Sequence, residues 1–594
     1  MNSYHRHYHQ PRSRYDHPKC TSNANERRPL VSRQDFSSNP RSSQQISWPT
    51  APRFSNDHSI LELIQIAHAN LAAMKPSATD AFWNKVSKQK ETNMQPSPYH
   101  EQISSRLNQI FEHTQETLRL FSTKDLAQTI YSMAKIANTL RKHGGKRGGD
   151  DIDVSLSGLL LNHDMTPKKD LFRSFACASR DKLNQFDARH PSNLAHAYAL
   201  IGYLPEFEDE SDLFDHIAAQ AAERSAEYNA QDISNMVWAF ATVDKPHALL
   251  FEAMENQVVA FKHLGEFNSQ GLANTVWAYA KVGIHHPMLF EKVANHIVRL
   301  DILYGFNPQA LSITLWAYAK AGLSHPMLFE KVANHIVRLD ILYGFKPQEL
   351  SNTVWAYITA GIHHPKLFEK MASHIVGLDS LDRFTHPQDV SNTVWAFATA
   401  GIHHPNLFEK MANHITGLDS LDQFNSQEQT NTVWAYATAQ VSHPKLFQKV
   451  ANAAMQHHLI ESISDNLNQL QELSLWDCHT LSEGSIATLS SVQSLEKLCL
   501  HQANALTEKS LVLLSEWLDS VKELEFYLCM SIRDVEIDNN LGSMKNLTKL
   551  TISPYSLERP ARLTHIQLIK DKTKEDAEKR VNHLLRKIYS RGLF

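Results

Sequence analysis

The sequence predicts a mainly α-helical protein: an α-solenoid of helical-hairpin repeats, each roughly 39 residues long, followed by a short α/β repeat array. Three observations carry this. A tryptophan recurs at 238, 277, 316, 355, 395 and 434, at intervals of 39, 39, 39, 40 and 39 residues. The segment His286–Phe306 is identical to His325–Phe345, the mark of a duplicated unit. Beyond residue 456 the period changes, with Leu473, Leu498, Leu524 and Leu550 lying 25, 26 and 26 residues apart. Units of this size cannot bury their apolar stripes alone and must stack on their neighbours.

Each 39-residue unit reads as two helices. In the unit beginning at Asn268, the asparagine is a good N-cap and Phe267 can staple onto Leu272. The next unit starts Asn307-Pro308, with proline favoured in the first turn. Leu272, Val276 and Tyr279 recur at helical spacing, with Ala273, Trp277 and Ala280 on the adjacent stripe. Gly283 supplies a left-handed stop, and His286-Pro287 opens a second helix with the stripe Leu289, Val293, Ile297 and Leu300. Two degenerate units lie upstream: SNLAHAYALIGY puts His196 in the tryptophan slot, and KDLAQTIYSMAKI puts Tyr131 there.

The second array shows Leu-x-x-Leu-x-Leu at Leu470, Leu473 and Leu475 and at Leu495, Leu498 and Leu500. It recurs as Val521, Leu524, Phe526 and as Leu547, Leu550, Ile552. A period near 26 with this pattern is that of leucine-rich repeats, one short strand and one helix per turn. Cys478 and Cys529 follow the strand in the same register, as in the cysteine-containing class that this segment resembles. They read as small buried apolar groups.

The expected organisation is therefore a disordered basic tail at 1–57, then a helical region at 58–190 with degenerate repeats and a Gly-rich loop near 141–151. The solenoid follows at 191–456, leucine-rich repeats at 457–560, and a basic C-terminal helix or tail at 561–594. Lys+Arg 59 against Asp+Glu 63, a net charge of −4, excludes a chain-wide polybasic binder. No run of 18 apolar residues is present to span a membrane. The five cysteines are scattered without a CxxC, which argues against a disulfide framework or a structural zinc module.

Little in the chain suggests catalysis. The segment RKHGGKRGGDD (141–151) lacks GxxxxGK[ST] and reads as a surface loop. His-His-Pro at 285, 363 and 403, with His296, His374 and His414 further on, reads as caps and loop packing rather than a metal site. Without paired carboxylates, a Ser/His/Asp elbow or a kinase-like loop, the expectation is no enzyme, no cofactor and no metal.

The candidate site is the first helix of each repeat. Asn235, Asn274, Asn352, Asn392 and Asn431 share one slot, with Ile313 once in their place. Two accounts stay open: a buried amide ladder bonded to backbone, or a row of amides facing a groove and reading the base edges of single-stranded RNA. Near the end of the same helix stand Thr242, Lys281, Lys320, Thr359, Thr399 and Thr438, the lysines placed to meet phosphates. The six tryptophans, Trp238, Trp277, Trp316, Trp355, Trp395 and Trp434, are expected to be structural wedges between modules.

The motifs GLANTVWAYAKVG (271–283), ALSITLWAYAKAG (310–322), ELSNTVWAYITAG (349–361) and DVSNTVWAFATAG (389–401) resemble those of octotricopeptide-repeat proteins. They are also similar to the helical repeats of FAST-kinase-like (RAP-family) proteins and of RNA-editing substrate-binding complex proteins. The resemblance covers about 190–456. It implies binding of organellar RNA, a mitochondrial or plastid location, and a role in transcript stability, processing or translation. No RAP domain follows the repeats, and no clear targeting peptide precedes them, so the cytoplasm stays open. Residues 231–456 hold 15 Lys/Arg against 18 Asp/Glu, although phosphate neutralisation normally supplies much of nucleic-acid affinity. Two function classes therefore stand: a single-stranded RNA binder, and a protein-interaction scaffold using the solenoid and leucine-rich-repeat faces.

Overall fold

The computed structural model describes residues 51–89, 100–142, 151–207, 211–284 and 286–456, and the shorter stretches 472–475, 495–501, 512–514, 520–527, 546–553 and 565–566. It divides into two compact units, Met1–His296 and Ile297–Phe594.

In the first unit, α1 (Ile60–Ala69), α2 (Pro76–Lys88), α3 (His100–Glu116), α4 (Thr123–Lys142), α5 (Asp151–Leu160) and α6 (Lys169–Arg180) lead into the repeats. Next come α7 (Arg189–Ile201), α8 (Leu213–Glu223), α9 (Ala230–Thr242), α10 (Ala248–Ala260) and α11 (Ser269–Val282), while α12 (Pro287–Arg299) spans the division. The first helices α2, α4, α7, α9 and α11 pack side by side in that order. The second helices α6, α8 and α10 form the other layer, and α1, α3 and α5 pack in succession upstream. This is solenoid packing, and the two degenerate units take part in it.

The second unit repeats the scheme. Its first helices are α13 (Pro308–Lys320), α15 (Pro347–Thr359), α17 (Pro387–Thr399) and α19 (Ser426–Thr438); α14 (Pro326–Arg338), α16 (Pro365–Val376), α18 (Pro405–Gly417) and α20 (Pro444–Gln456) are the second helices. Each layer again stacks in chain order.

Local chemistry sets each boundary. Asn268, Asn307 and Asn425 cap their helices by accepting the backbone N–H three residues on, at 2.7, 2.7 and 3.0 Å. The second helices use histidine instead. Nδ1 of His325, His364, His404 and His443 accepts the N–H of Leu328, Leu367, Leu407 and Leu446 at 3.1 to 3.2 Å. A neutral imidazole nitrogen thus satisfies one of the four orphan donors of a helix start. Gly283 ends α11 at φ 71°, a conformation only glycine adopts without strain.

Two polar devices lock neighbouring hairpins. The tyrosine two residues after the motif tryptophan is buried and donates its hydroxyl to a carbonyl of the preceding second helix. The bonds are Tyr279 to Phe251 at 2.6 Å, Tyr357 to Phe329 at 2.7 Å and Tyr436 to Phe408 at 2.6 Å. A lysine of α12, α18 and α20 reaches back to the carbonyls that end the preceding second helix. Lys292 bonds Val259 at 2.6 Å, Lys410 bonds Val376 at 2.8 Å and Lys449 bonds Thr416 at 3.0 Å, each with a further carbonyl beyond the helix end. A cation suits the negative end of a helix. Burial lowers the pKa of Lys292 and Lys449.

After α20 come β1 (Glu472–Leu475), β2 (Lys497–His501), β3 (Glu523–Tyr527), β4 (Lys549–Ser553) and β5 (His565–Ile566). β1 to β4 pair in parallel and in register, Leu473 to Leu498 to Leu524 to Leu550, and β5 adds antiparallel. β1 packs against α20. Of the helices expected between these strands, the described residues include a helical turn at 512–514; Cys478, Cys529, the Gly-rich stretch 143–150 and most of the basic C-terminus lie outside them. At the other end, Phe54 packs on Phe82 of α2 with ring centroids 5.9 Å apart.

Candidate functional site

A helix advances about 100° per residue, so positions four before, at, three after and seven after the motif asparagine fall within about 60° of one another. The structure covers this stripe less than the rest of each first helix. On α11, Gln270, Asn274 and Trp277 are half-buried and Lys281 is exposed, whereas Leu272, Ala273, Thr275, Val276, Ala278, Tyr279 and Ala280 between them are buried. Alanines at 273, 278 and 280 let α9 approach closely on the covered side. The same partition holds for Gln348, Asn352, Trp355 and Thr359 on α15 and for Gln388, Asn392, Trp395 and Thr399 on α17.

All five candidate asparagines, Asn235, Asn274, Asn352, Asn392 and Asn431, are half-buried, as is Ile313 in the same slot. Asn274 accepts from Gln270 at 2.8 Å. Among the described residues, the side-chain amides of Asn235, Asn352, Asn392 and Asn431 bond no protein group. A backbone-bonded ladder is therefore not what these amides form. Each presents a donor and an acceptor at a half-open surface.

Trp238, Trp277, Trp316, Trp355, Trp395 and Trp434 are all half-buried. By the helical period, three residues from the asparagine puts the indole on the same stripe, and the fully buried aromatic is the tyrosine or phenylalanine two residues later. In the second unit Trp316 and Trp355 stack, with ring centroids 6.4 Å apart and planes at 29°. In the first unit Tyr131, His196 and Trp238 continue as a ring row, at 5.5 and 4.9 Å. The Lys281 ammonium lies 5.2 Å over the Trp277 ring, a cation–π arrangement, and 3.4 Å from the Thr242 carbonyl. Lys320 is exposed at the end of α13.

One row escaped the sequence reading. Gln231, Gln270, Gln309, Gln348, Gln388 and Gln427 recur four residues before the asparagine slot, in all six clear repeats, and all but the half-buried Gln270 are exposed. The signal was available: an amide that never varies at a position with no packing role. Each full stripe therefore carries two amides, one indole and one lysine or threonine.

With this geometry in hand, comparison with known proteins is informative. The family model described as RNA-editing substrate-binding complex 6 protein matches residues 165–343, 206–455 and 269–504. The overlapping frames suit internal repetition, and together they reach from 165 to 504, more than half of the 594 residues. The chain belongs to this family. The family segment holds the six clear repeats, the degenerate one at His196 and the first strands of the sheet. Comparison with curated proteins finds no match. Among solved structures, the chain is similar to a cysteine-to-serine variant of the pentatricopeptide repeat protein PPR10 in complex with an 18-nt PSAJ RNA element. The identity is 9%, covering 89% of this chain and 84% of that one, and at a TM-score of 0.17 the likeness carries no argument.

Proposed function

We propose that the chain binds single-stranded RNA along the open stripe of its first helices. The observation that carries this is the repeated set of amides, mostly without a protein partner among the described residues, and half-buried indoles on one face of the first helices in each unit. Indoles offer stacking surfaces to any base, worth about 1 to 3 kcal/mol each, and the asparagine and glutamine amides can meet base edges or ribose hydroxyls. Lys292, Lys410 and Lys449 of the second helices are spent on carbonyls, and few cations stand on the stripe. Lys281 and Lys320 supply the phosphate contacts, and affinity rests on stacking and amides more than on charge.

The family name, which refers to an RNA-editing substrate, supports a role in organellar RNA metabolism, in mitochondrion or plastid, through transcript processing, stability or translation. On this reading the protein is not an enzyme and needs no cofactor. The parallel, in-register strands at a period near 26 support leucine-rich repeats at 457–560. The test is affinity for a panel of single-stranded RNA oligomers at two salt concentrations. Replacing Lys281 and Lys320 with Ala is expected to weaken every oligomer alike and to reduce the salt slope by about one to two contacts. No binding at low salt would sink the proposal.

A second reading, a protein-interaction scaffold, rests on a separate observation. Ile302, Tyr304, Ile341 and Tyr343, from the loop after the second helix in two successive repeats, are large apolar groups 64%, 77%, 59% and 71% exposed. A protein partner on that face is compatible with RNA on the first-helix stripe.

A further inference from the structure

The first helices at the beginning of the array carry the same stripe with a different chemistry. α4 ends before residue 165, where the family match starts. Counting back from its ring residue, the four stripe positions on α4 are Lys124, Gln128, Tyr131 and Lys135. The two lysines are exposed and the other two half-buried, as in the later repeats. On α7 the positions are Arg189, Asn193, His196 and Leu200, again with the outer cation exposed and the rest half-buried. The ring row is continuous here: Tyr131 meets His196 at 5.5 Å with planes at 45°, and His196 meets Trp238 edge to face at 4.9 Å.

Charge separates this end from the rest. The clear repeats place glutamine at the first stripe position, whereas α4 and α7 place Lys124 and Arg189 there. Arg189 is partly committed, 3.3 Å from Asp187. Lys124 and Lys135 form no ion pair among the described residues. Asp125, beside Lys124, accepts the Ser122 hydroxyl at 2.6 Å, and Lys124 also lies within electrostatic reach of Asp80. The slot that holds asparagine in five clear repeats holds Gln128 on α4, and the tryptophan slot holds smaller rings. Burial pushes the His196 pKa down to about 4, so near neutral pH this position is an uncharged ring.

Resting on the RNA reading above, we propose that α4 forms a sequence-independent anchor for one end of the bound strand, with Tyr131, backed by His196 of α7, stacking on a base and Lys124 and Lys135 holding phosphates. Stacking on a ring tolerates any base, and a lone ammonium meets a phosphate without reading sequence.

The test uses the full chain and a panel of single-stranded RNA oligomers differing in sequence, with affinity measured over a salt series. The Lys124→Gln, Lys135→Gln double variant alters only exposed side chains. It is expected to weaken binding by the same factor for every oligomer and to reduce the salt slope by about one to two contacts. Tyr131→Ala is expected to weaken all oligomers about five-fold or more, with recovery in Tyr131→Phe. Melting recorded alongside separates lost binding from lost folding. If the wild type binds but the lysine variant keeps its affinity and slope, the anchor is wrong and the RNA reading stands. If either variant changes which sequence is preferred, the anchor is not sequence-independent and the inference fails. If the wild type binds no oligomer, the RNA reading itself falls.

Discussion

Trp355 and Tyr357 lie two residues apart on α15, and the structure assigns them opposite work. Tyr357 is fully buried, packs edge to face on Phe329 at 5.0 Å and donates to its carbonyl at 2.7 Å. Replacing it with Ala removes a large buried aromatic and its hydrogen bond, which costs about 3 to 5 kcal/mol. Trp355 is half-buried and stacks on Trp316. Its truncation forfeits the buried part of an indole, roughly 2 to 4 kcal/mol when the fully buried cost is scaled by exposure, and no hydrogen bond is lost with it. For RNA the order reverses. Losing one stacking platform costs about 1 to 3 kcal/mol of binding, roughly five- to 150-fold. Far-UV circular dichroism during denaturation and anisotropy of labelled single-stranded RNA read the two effects on the same samples. Because a solenoid is stabilised by neighbour contacts, the Tyr357→Ala loss is expected to broaden the transition as well as lower it. If Trp355→Ala destabilises as much as Tyr357→Ala, the indole is a packing wedge and the stripe loses its main stacking element. If it leaves both stability and RNA affinity unchanged, the stripe is not the binding face.

Three further outcomes are expected. Asn352→Ala with Asn392→Ala should leave melting within about 0.5 kcal/mol, since neither amide bonds the protein, and should change oligomer preference by roughly 1 to 3 kcal/mol, a magnitude borrowed from DNA readout. A uniform loss across all sequences would mean that these amides do not read bases. Lys410→Met should lower stability by about 1 to 2 kcal/mol by orphaning the Val376 and Leu378 carbonyls, without altering the salt dependence of RNA binding. A reduced salt slope in that variant would place the lysine on RNA instead. For His196, packed between Tyr131 and Trp238, the folded pKa of about 4 lies below the ordinary value of 6.5. The unfolded chain therefore takes up the proton first, and stability is full above about pH 6.5 and lost as pH falls toward about 4. The loss is at most about 3 kcal/mol, and smaller to the extent that water reaches the ring. His196→Tyr should flatten that part of the acid melting profile; an unchanged profile would mean that this ring does not control it.

The sequence by itself determined the repeat. Six tryptophans in one register, Asn and Pro at helix starts and Gly283 at a stop are local signals, and local signals suffice to set hairpins whose partners are their chain neighbours. It also located the candidate row of asparagines. What it did not decide was which aromatic faces inward. Trp277 and Tyr279 are two residues apart on one helix, and both periodic stripes are apolar enough to be core. Only the packing of α11 on α9, and the bond from Tyr279 to the Phe251 carbonyl of α10, settle that the tyrosine is enclosed while the indole is half-buried. The lysine of the second helix posed the same problem, since Lys410 reads as solvent charge until the end of α16 is seen beside it. Side-chain roles of this kind depend on the face a neighbouring hairpin covers, and that face is a property of the stack rather than of any one unit.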